Sequence, residues 1–255
     1  MHEMILEKII KDYKNGDSLK KLKTKYDYSI GNLYYHLNKR SLMRKNNIIK
    51  FLKNNDQLSI GILIGIWMGD GSKFKDKWSY VIKIHLDKRD TLLINFIKNI
   101  LLIVFGKTCR VVLEEESNRG IMIMNSKFIY DFIDKYTAYK ENKTLTIKLK
   151  RNINQYNNDF IRGVMVGLTL SDGYIKDRFV FNTISKRLAS NVYNIFKKYS
   201  YNPAISHQPR KKYGWYDLQR VSLNKKETLL FRSVINDILT KYGSSYTIDS
   251  LKRYA

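Results

Sequence analysis

Two apolar segments of this chain repeat one another at a distance of 102 residues. The first, IGILIGIWMGDGS, runs from Ile60 to Ser72, and the second, FIRGVMVGLTLSDGY, runs from Phe160 to Tyr174. A glycine or serine stands at every fourth position of both segments, and both end in Asp-Gly. Because residues four apart share one face of a helix, these stripes predict two helices whose backbones pack closely together. The repeat therefore predicts two similar halves related by a pseudo-two-fold axis.

The acidic residue at the end of each segment is not explained by stability. Gly71 and Gly173 are predicted to cap the two helices, which places Asp70 and Asp172 at the helix C-termini. A carboxylate there opposes the helix dipole at a cost of about 0.3–1 kcal/mol, and helix pairing adds repulsion between the two charges. Ordinary core helices would not carry such a pair, whereas a hard divalent cation such as Mg²⁺ would use both carboxylates as ligands. The pair therefore predicts a metal site suited to phosphodiester hydrolysis by activated water.

The sequence that follows each motif also repeats. Each half shows a helix, two strand patterns, an amphipathic helix, a second strand pair and a final helix. We therefore predict an α+β fold built from two αββαββα halves. The predicted boundaries are 57–145 for the first half, 146–158 for a linker and 159–255 for the second half.

Residues 1–50 have a different pattern, which predicts a small all-α domain of three short helices. The spacing of their apolar residues is similar to that of helix-turn-helix domains, with Ser29 to Arg40 as the recognition helix. The residues predicted to face a DNA major groove are Asn32, Tyr35, His36, Lys39 and Arg40. A helical bundle that serves only for packing explains the same pattern.

The charge of the chain indicates a polyanionic partner. The sequence has 47 Lys and Arg against 23 Asp and Glu, a net charge of +24, with 19 tyrosines and 3 tryptophans. Nucleic acid fits this composition better than a membrane, although an AT-rich genome also raises the lysine content. The longest apolar runs are too short to span a bilayer, so we expect no membrane partner. With one cysteine, Cys109, and no apolar leader, we expect an intracellular protein.

The repeated segments resemble the motifs of the LAGLIDADG homing endonucleases, in the single-chain form that carries two motifs. LIGIWMGDG (Leu63 to Gly71) and MVGLTLSDG (Met165 to Gly173) match at the glycine and at the final Asp-Gly. The earlier acidic position of the motif is Met68 in one copy and Leu170 in the other, a departure from the pattern. The resemblance covers about residues 57–245.

This resemblance implies a monomeric, site-specific DNA endonuclease that makes a double-strand break with Mg²⁺, for which Mn²⁺ substitutes. Two antiparallel sheets would form a saddle along the major groove of a long DNA target. Asp70 and Asp172 would bind the metal over the minor groove, with Gly69 and Ser171 as further metal-site residues.

The resemblance also implies a basic residue near each metal ion. Lys88 stands four residues before a helix leucine, as the family pattern requires. The equivalent position in the second half is Ile184, so Lys186 is the nearest candidate and Lys176 is another. The alternative explanation for all three is that they are phosphate-contacting or solvated lysines.

Bases would be read by side chains on the sheet faces and hairpin tips, where Arg and Gln match the edges of guanine and adenine. Strand alternation directs half of such residues to the other face. The predicted DNA contacts in the two halves are Lys73, Lys75, Arg110, Arg119, Lys176, Arg178, Gln208, Arg210, Lys212, Tyr213, Gln219 and Arg220.

Two binding functions are alternatives on the same scaffold. One is a splicing maturase that holds intron RNA, and the other is a non-catalytic DNA-binding regulator. Catalytic decay normally removes one or both metal-binding acids, and both are present here. The sequence therefore favours a working nuclease.

Overall fold

The computed structural model describes residues 3–15, 17–40, 56–76, 79–210 and 214–242. The chain divides into two compact units, Met1–Lys53 and Asn54–Ala255. The second unit contains both copies of the repeated motif.

The first unit contains three short helices, α1 (Glu3–Lys14), α2 (Leu19–Tyr26) and α3 (Ile30–Lys39). The Ser18 and Ser29 hydroxyl oxygens accept hydrogen bonds from the first turns of α2 and α3. The helices share a small core of buried side chains, which are Ile9, Tyr13, Leu22, Leu33 and Leu37.

The second unit repeats the order αββαββα, as predicted. The first copy is α4 (Gln57–Asp70), β1 (Gly71–Lys75), β2 (Tyr80–Asp87), α5 (Thr91–Phe105), β3 (Arg110–Leu113), β4 (Arg119–Asn125) and α6 (Lys127–Tyr136). A connecting segment contains β5 (Thr137–Ala138), α7 (Lys143–Thr146) and β6 (Lys148–Leu149), then a 3₁₀ turn (Ile153–Gln155). The second copy is α8 (Asn158–Ser171), β7 (Gly173–Ile175), β8 (Phe179–Thr183), α9 (Lys186–Lys198), β9 (Ala204–Gln208), β10 (Leu218–Ser222) and α10 (Lys225–Lys241).

Each half contains one antiparallel sheet with the same strand order. The first sheet has the order β1-β2-β4-β3, and the second has the equivalent order β7-β8-β10-β9. Helices cover one face of each sheet, where alternate strand residues such as Ile84, Met122 and Phe181 are fully buried. The identical order in both sheets is the structural form of the sequence repeat.

The helices α4 and α8 pack against each other along their glycine stripes. An added Cβ at Gly65 would lie 2.8 Å from Leu168 N, and one at Gly167 would lie 2.7 Å from Ile66 N. Both are backbone atoms, so no side chain larger than hydrogen fits without separating the helices. α4 is apolar on nearly all sides and is buried from Leu58 to Met68, as expected for a helix inside the core. Among the described residues, no helix is long and apolar enough to cross a membrane.

The two Asp-Gly steps differ from the predicted pair of glycine caps. Gly71 does cap α4, but with extended backbone angles, and α8 is capped by Asp172 while Gly173 begins β7. Glycine is required at Gly71 and Gly173 because neighbouring atoms leave no room for a Cβ, and not because the backbone is left-handed. A Cβ at Gly71 would collide with Trp67 of α4, and one at Gly173 would collide with Thr169 of α8.

The segment predicted as a linker, 146–158, packs against the core. Ile147 and Leu149 are buried, and the backbone N–H of Leu149 donates to Asn191 of α9. The Ser185 hydroxyl before α9 donates to the carbonyl of Ile147. These contacts hold the connecting segment against the second half.

Candidate active site and nucleic-acid interface

The two motif aspartates lie where α4 and α8 end together. Successive glycines of α4 meet successive residues of α8 in the same chain direction, so the two helices run parallel. An added Cβ at Gly69 would lie 2.9 Å from the Asp172 Oδ2 atom. The absence of a side chain at Gly69 therefore lets the Asp172 carboxylate lie against the last turn of α4, next to Asp70.

Both carboxylates are electrostatically unfavourable in the free protein. Burial raises the pKa of Asp70 to about 7, and repulsion from Asp172 adds to the rise while Lys143 opposes it. Burial also raises the pKa of Asp172 to about 6, against the attraction of Lys143. As a whole residue, however, Asp172 is exposed to solvent. The site is therefore rich in oxygen, short of positive charge and open to a ligand.

Among the described residues, the positive charge that acts on both aspartates is Lys143 of α7, which was not predicted from the sequence. Its ammonium group donates to the carbonyl oxygens of Gly69 at 3.1 Å and Gly71 at 2.5 Å. It also lies 4.9 Å from the ring centre of Trp67. Burial lowers the pKa of Lys143 to about 8, and attraction to the two aspartates limits the fall. No periodicity marks this lysine, because it follows the repeated elements in a lysine-rich connecting segment.

The lysines implied by the family pattern are not among the charges that shift the pKa of either aspartate. The ammonium group of Lys88 donates to the carbonyls of Glu114 at 2.8 Å and Glu115 at 3.2 Å, which ties it to the β3–β4 turn. Lys186 is exposed at the first position of α9, and Lys176 is exposed in the β7–β8 turn. Among the described residues, the lysine seen beside both aspartates is Lys143.

The donor set at the helix ends fits a hard divalent cation. The described residues contain no cluster of three or more His, Cys, Asp or Glu side chains that could hold a metal ion. Mg²⁺ commonly binds one or two carboxylates and completes its shell with water and phosphate oxygens. The carboxylates of Asp70 and Asp172 match this chemistry. The Lys143 ammonium group donates to the adjacent backbone carbonyls. Of the other predicted metal residues, Gly69 presents its carbonyl to Lys143, and the Ser171 hydroxyl donates within its own helix.

For the phosphodiester hydrolysis that the sequence predicts at this site, we expect Lys143→Met to lower the cleavage rate by about 10- to 100-fold, because a positive charge beside the phosphate would be lost. Lys140→Met, which removes an exposed lysine three residues earlier, is the matched control. Single-turnover cleavage rates of the two variants compare them directly. Equal rates for Lys143→Met and the parent protein would exclude Lys143 from the site.

The first sheet has an open face, defined as the side that points away from the helices. Strand register places on it Ser72, Phe74, Val81, Lys83, His85, Asp87, Arg110, Val112, Arg119, Ile121, Ile123 and Asn125. Arg110 and Arg119 are exposed on this first open face, where a DNA contact requires them. The face also holds Lys83 and His85, which were not predicted as DNA contacts. Both stand at alternate positions of β2, so strand alternation could have identified them as a pair.

Two predicted DNA contacts on β1 point the other way. Lys73 pairs with Ile82 of the core side, and its side chain is only 2% exposed, in an ion pair with Asp134. Its ammonium group also lies 3.9 Å from the ring centre of Tyr130. The prediction that Lys73 contacts DNA is therefore corrected, since alternation directs it into the protein. Lys75 lies on the same side but is exposed at the strand end.

The second sheet has an equivalent open face. Strand register places on this second open face Tyr174, Val180, Asn182, Ala204, Ser206, Gln208, Leu218, Arg220 and Ser222. Arg220 and Gln208 thus lie on the side predicted to read DNA. Gln219 does not, since it pairs with Thr183 on the core side and is only 7% exposed, so its predicted role in DNA contact is corrected.

The remaining predicted contacts lie in turns and in the first unit. Lys176 and Arg178 are exposed in the β7–β8 turn, and the Arg210 guanidinium lies 5.6 Å from the ring centre of Trp215. Lys212 and Tyr213 lie outside the described residues. On α3 and just after it, the exposed predicted contacts are Asn32, Tyr35, Lys39 and Arg40, with His36 half-buried.

A polar network connects the first open face to the region of Asp70. Arg119 donates to His85 Nδ1 at 2.9 Å, so the His85 proton is on Nε2, which donates to the Ser72 hydroxyl oxygen at 3.1 Å. Burial and then the positive charge of Arg119 lower the pKa of His85, which favours the neutral ring that these two hydrogen bonds require. Ser72 follows Asp70 by two residues, so the open face begins at the carboxylate site.

The topology and the site together define a fold class. Two αββαββα halves, paired by glycine-striped helices that both end at an aspartate, form the LAGLIDADG fold of homing endonucleases.

The homing endonuclease I-DmoI is a solved structure with this fold. It matches with a TM-score of 0.55 and 16% sequence identity, over 71% of this chain and 96% of that chain. I-DmoI in complex with DNA and Ca gives 0.56 and 15%, over 71% and 91%. Full-length DUF199/WhiA from Thermatoga maritima gives 0.49 and 12%, over 78% and 59%. No protein-family model matches the sequence, and no curated protein matches it. This likeness establishes the fold alone.

Proposed function

We propose that this protein is a site-specific endonuclease that makes a double-strand break in a long DNA target inside the cell, using Mg²⁺ or Mn²⁺. The observation that carries the proposal is the convergence of Asp70, Asp172 and Lys143 at the ends of two paired helices. Two crowded carboxylates repel one another and destabilise the metal-free protein, so fold stability does not explain their presence there. I-DmoI, which has the same fold, has been solved with DNA and Ca, Mn or Mg.

The side chains divide the work of hydrolysis between them. Asp70 and Asp172 would hold the metal, which supplies an activated water and offsets charge on the leaving oxygen. Lys143 places an ammonium group on the same centre, where it attracts the phosphate and stabilises the added negative charge of the transition state. The pseudo-symmetric pair of carboxylates offers one acid to each DNA strand.

The open faces supply the DNA-binding surface in this proposal. Arg110, Arg119 and Lys83 place positive charge on the first open face, together with the network that reaches Ser72, and Arg220 places positive charge on the second open face. Basic side chains of this kind neutralise phosphates and bind guanine edges. The exposed residues of α3 would extend the contact as a separate DNA-binding unit.

The direct test is cleavage of two substrates by the purified protein. One is DNA that spans the insertion site of its own gene, and the other is a randomised duplex library. We expect double-strand breaks at one long sequence with Mg²⁺ or Mn²⁺, and none after chelation with EDTA. Tight binding of intron RNA without cleavage of either substrate would instead favour the maturase function, and sequence-specific DNA binding without cleavage would favour a regulator.

A further inference from the structure

The first open face carries an apolar strip on β3 and β4, formed by Val112, Ile121 and Ile123. Val112 and Ile121 are directly opposite one another on β3 and β4, and Ile123 is two residues further along the same face of β4. All three are half-buried. They therefore present branched aliphatic groups on a face that also carries Lys83, Arg110 and Arg119.

Basic and polar neighbours surround the strip. Ile123 lies opposite Arg110 on one side and Lys83 on the other, and Ile121 lies opposite His85. The protein thus places cations on both sides of an apolar centre. Phosphate binding alone would be served better by further lysines or arginines at these positions.

Strand propensity alone does not require the strip. The equivalent strand of the second half, β10, presents Leu218, Arg220 and Ser222 on its open face. In the second half, the positions equivalent to the strip therefore accept a charged side chain and a hydroxyl side chain. The difference between the two open faces is a property of this sequence that the shared fold does not explain.

Among base edges in the major groove, only thymine offers a methyl group to an apolar side chain. An aliphatic side chain placed against the polar edge of guanine or cytosine leaves donors and acceptors without partners, which is unfavourable. A strip of three such side chains therefore discriminates for thymine and against G·C pairs.

We infer that the first open face recognises thymine methyl groups through Val112, Ile121 and Ile123, so the half-site it reads is rich in A·T pairs. This inference rests on the proposed function, since it assumes that the open faces contact DNA. It adds the chemical class of the target and the side chains that select it.

The test uses the full-length protein and a change of single methyl groups in DNA. Bound sequences are first selected from a randomised duplex library, without a cleavage step. The selected duplex is then made with deoxyuridine in place of thymidine in one half-site at a time. Deoxyuridine keeps the base pairing and removes only the C5-methyl group.

We expect deoxyuridine in one half-site to weaken binding about three- to fourfold for each contacted methyl group, the effect of removing one buried carbon. The same change in the other half-site should have a smaller effect. Ile123→Thr keeps a β-branched residue on the strand and should reduce the preference for thymidine. Ile103→Thr makes the same change at an exposed position of α5, outside both open faces, and is the matched control that should leave that preference unchanged.

The outcomes separate this inference from the proposed function. Equal binding of the thymidine and deoxyuridine duplexes, with Mg²⁺-dependent cleavage intact, would overturn the inference alone. Selection of a G·C-rich half-site would do the same. Binding of a selected sequence without cleavage would leave the inference intact and overturn the proposed endonuclease activity.

Discussion

Asp70→Asn is expected to abolish DNA cleavage and at the same time to make the metal-free protein more stable. A neutral amide is a poor ligand for Mg²⁺, so we expect the cleavage rate to fall by about 10³-fold or more. Asp172→Asn should have the same effect, because the two carboxylates form one site. DNA binding measured in EDTA should be retained, since the open faces are unchanged.

The stability change follows from the pKa of Asp70, which burial and Asp172 raise to about 7. A folded-state pKa above the unfolded value means that the folded protein holds the proton more tightly, so stability falls as pH rises from about 4 to 7. The amide of the Asp70→Asn variant does not titrate, so the variant escapes this loss. At about pH 8 we expect a gain of about 1–2 kcal/mol, allowing for the solvent that reaches the site, and a melting temperature a few degrees higher.

Thermal melts at about pH 4 and pH 8 measure this effect, with the gain confined to the higher pH. Mg²⁺ should raise the melting temperature of the parent protein and not that of the variant, because only the intact pair binds it. Asp131→Asn, which neutralises an exposed acid on α6, is the control and should change neither property. A lower melting temperature for Asp70→Asn at the higher pH would show that this carboxylate stabilises the fold.

Gly65→Ala is expected to destabilise the second unit by about 3 kcal/mol, and Gly65→Leu is expected to prevent its folding. An added Cβ at Gly65 lies 2.8 Å from the backbone nitrogen of Leu168 and 2.9 Å from the Cα of Gly167. Backbone atoms of a buried helix cannot move aside as a flexible side chain can, so the two helices must separate. For a unit of this size, the alanine variant should melt about 6–12 °C lower.

Gly31→Ala is the matched control for this effect. Gly31 lies in α3, and an added Cβ there meets nothing within 4 Å. Alanine should therefore stabilise the first unit by about 0.5–1 kcal/mol through helix propensity. Urea unfolding followed by far-ultraviolet circular dichroism compares the two variants. A Gly65→Ala protein as stable as the parent would contradict close packing of α4 on α8.

The repeat in the sequence predicted the element order and the helix pairing correctly. Both follow from local patterns, since small residues four apart mark a helix face and alternating residues mark a strand. The same patterns located Asp70 and Asp172 at the helix ends. Their role in metal binding stays a proposal, which the cleavage and melting experiments test.

The side chains around the site depended on contacts between distant segments. Lys73 and Gln219 were predicted as DNA contacts, but pairing with Ile82 and Thr183 directs them to the core side. A shift of one residue in strand register reverses the face of every side chain, and the sequence does not state the register. Lys143 reaches Gly69 and Gly71 across more than 70 residues of sequence, which no local pattern encodes.

The sequence by itself determined that this protein has two similar halves joined by glycine-striped helices, each ending in an acid. Periodicity and repetition are properties of the amino-acid sequence itself, so they can be recognised before the fold is known. Only the tertiary structure decided which lysine meets the aspartates and which strand residues lie on the open faces. Those depend on how the connecting segment folds back and on which residues pair across the strands, and both arise from packing between segments far apart in the chain.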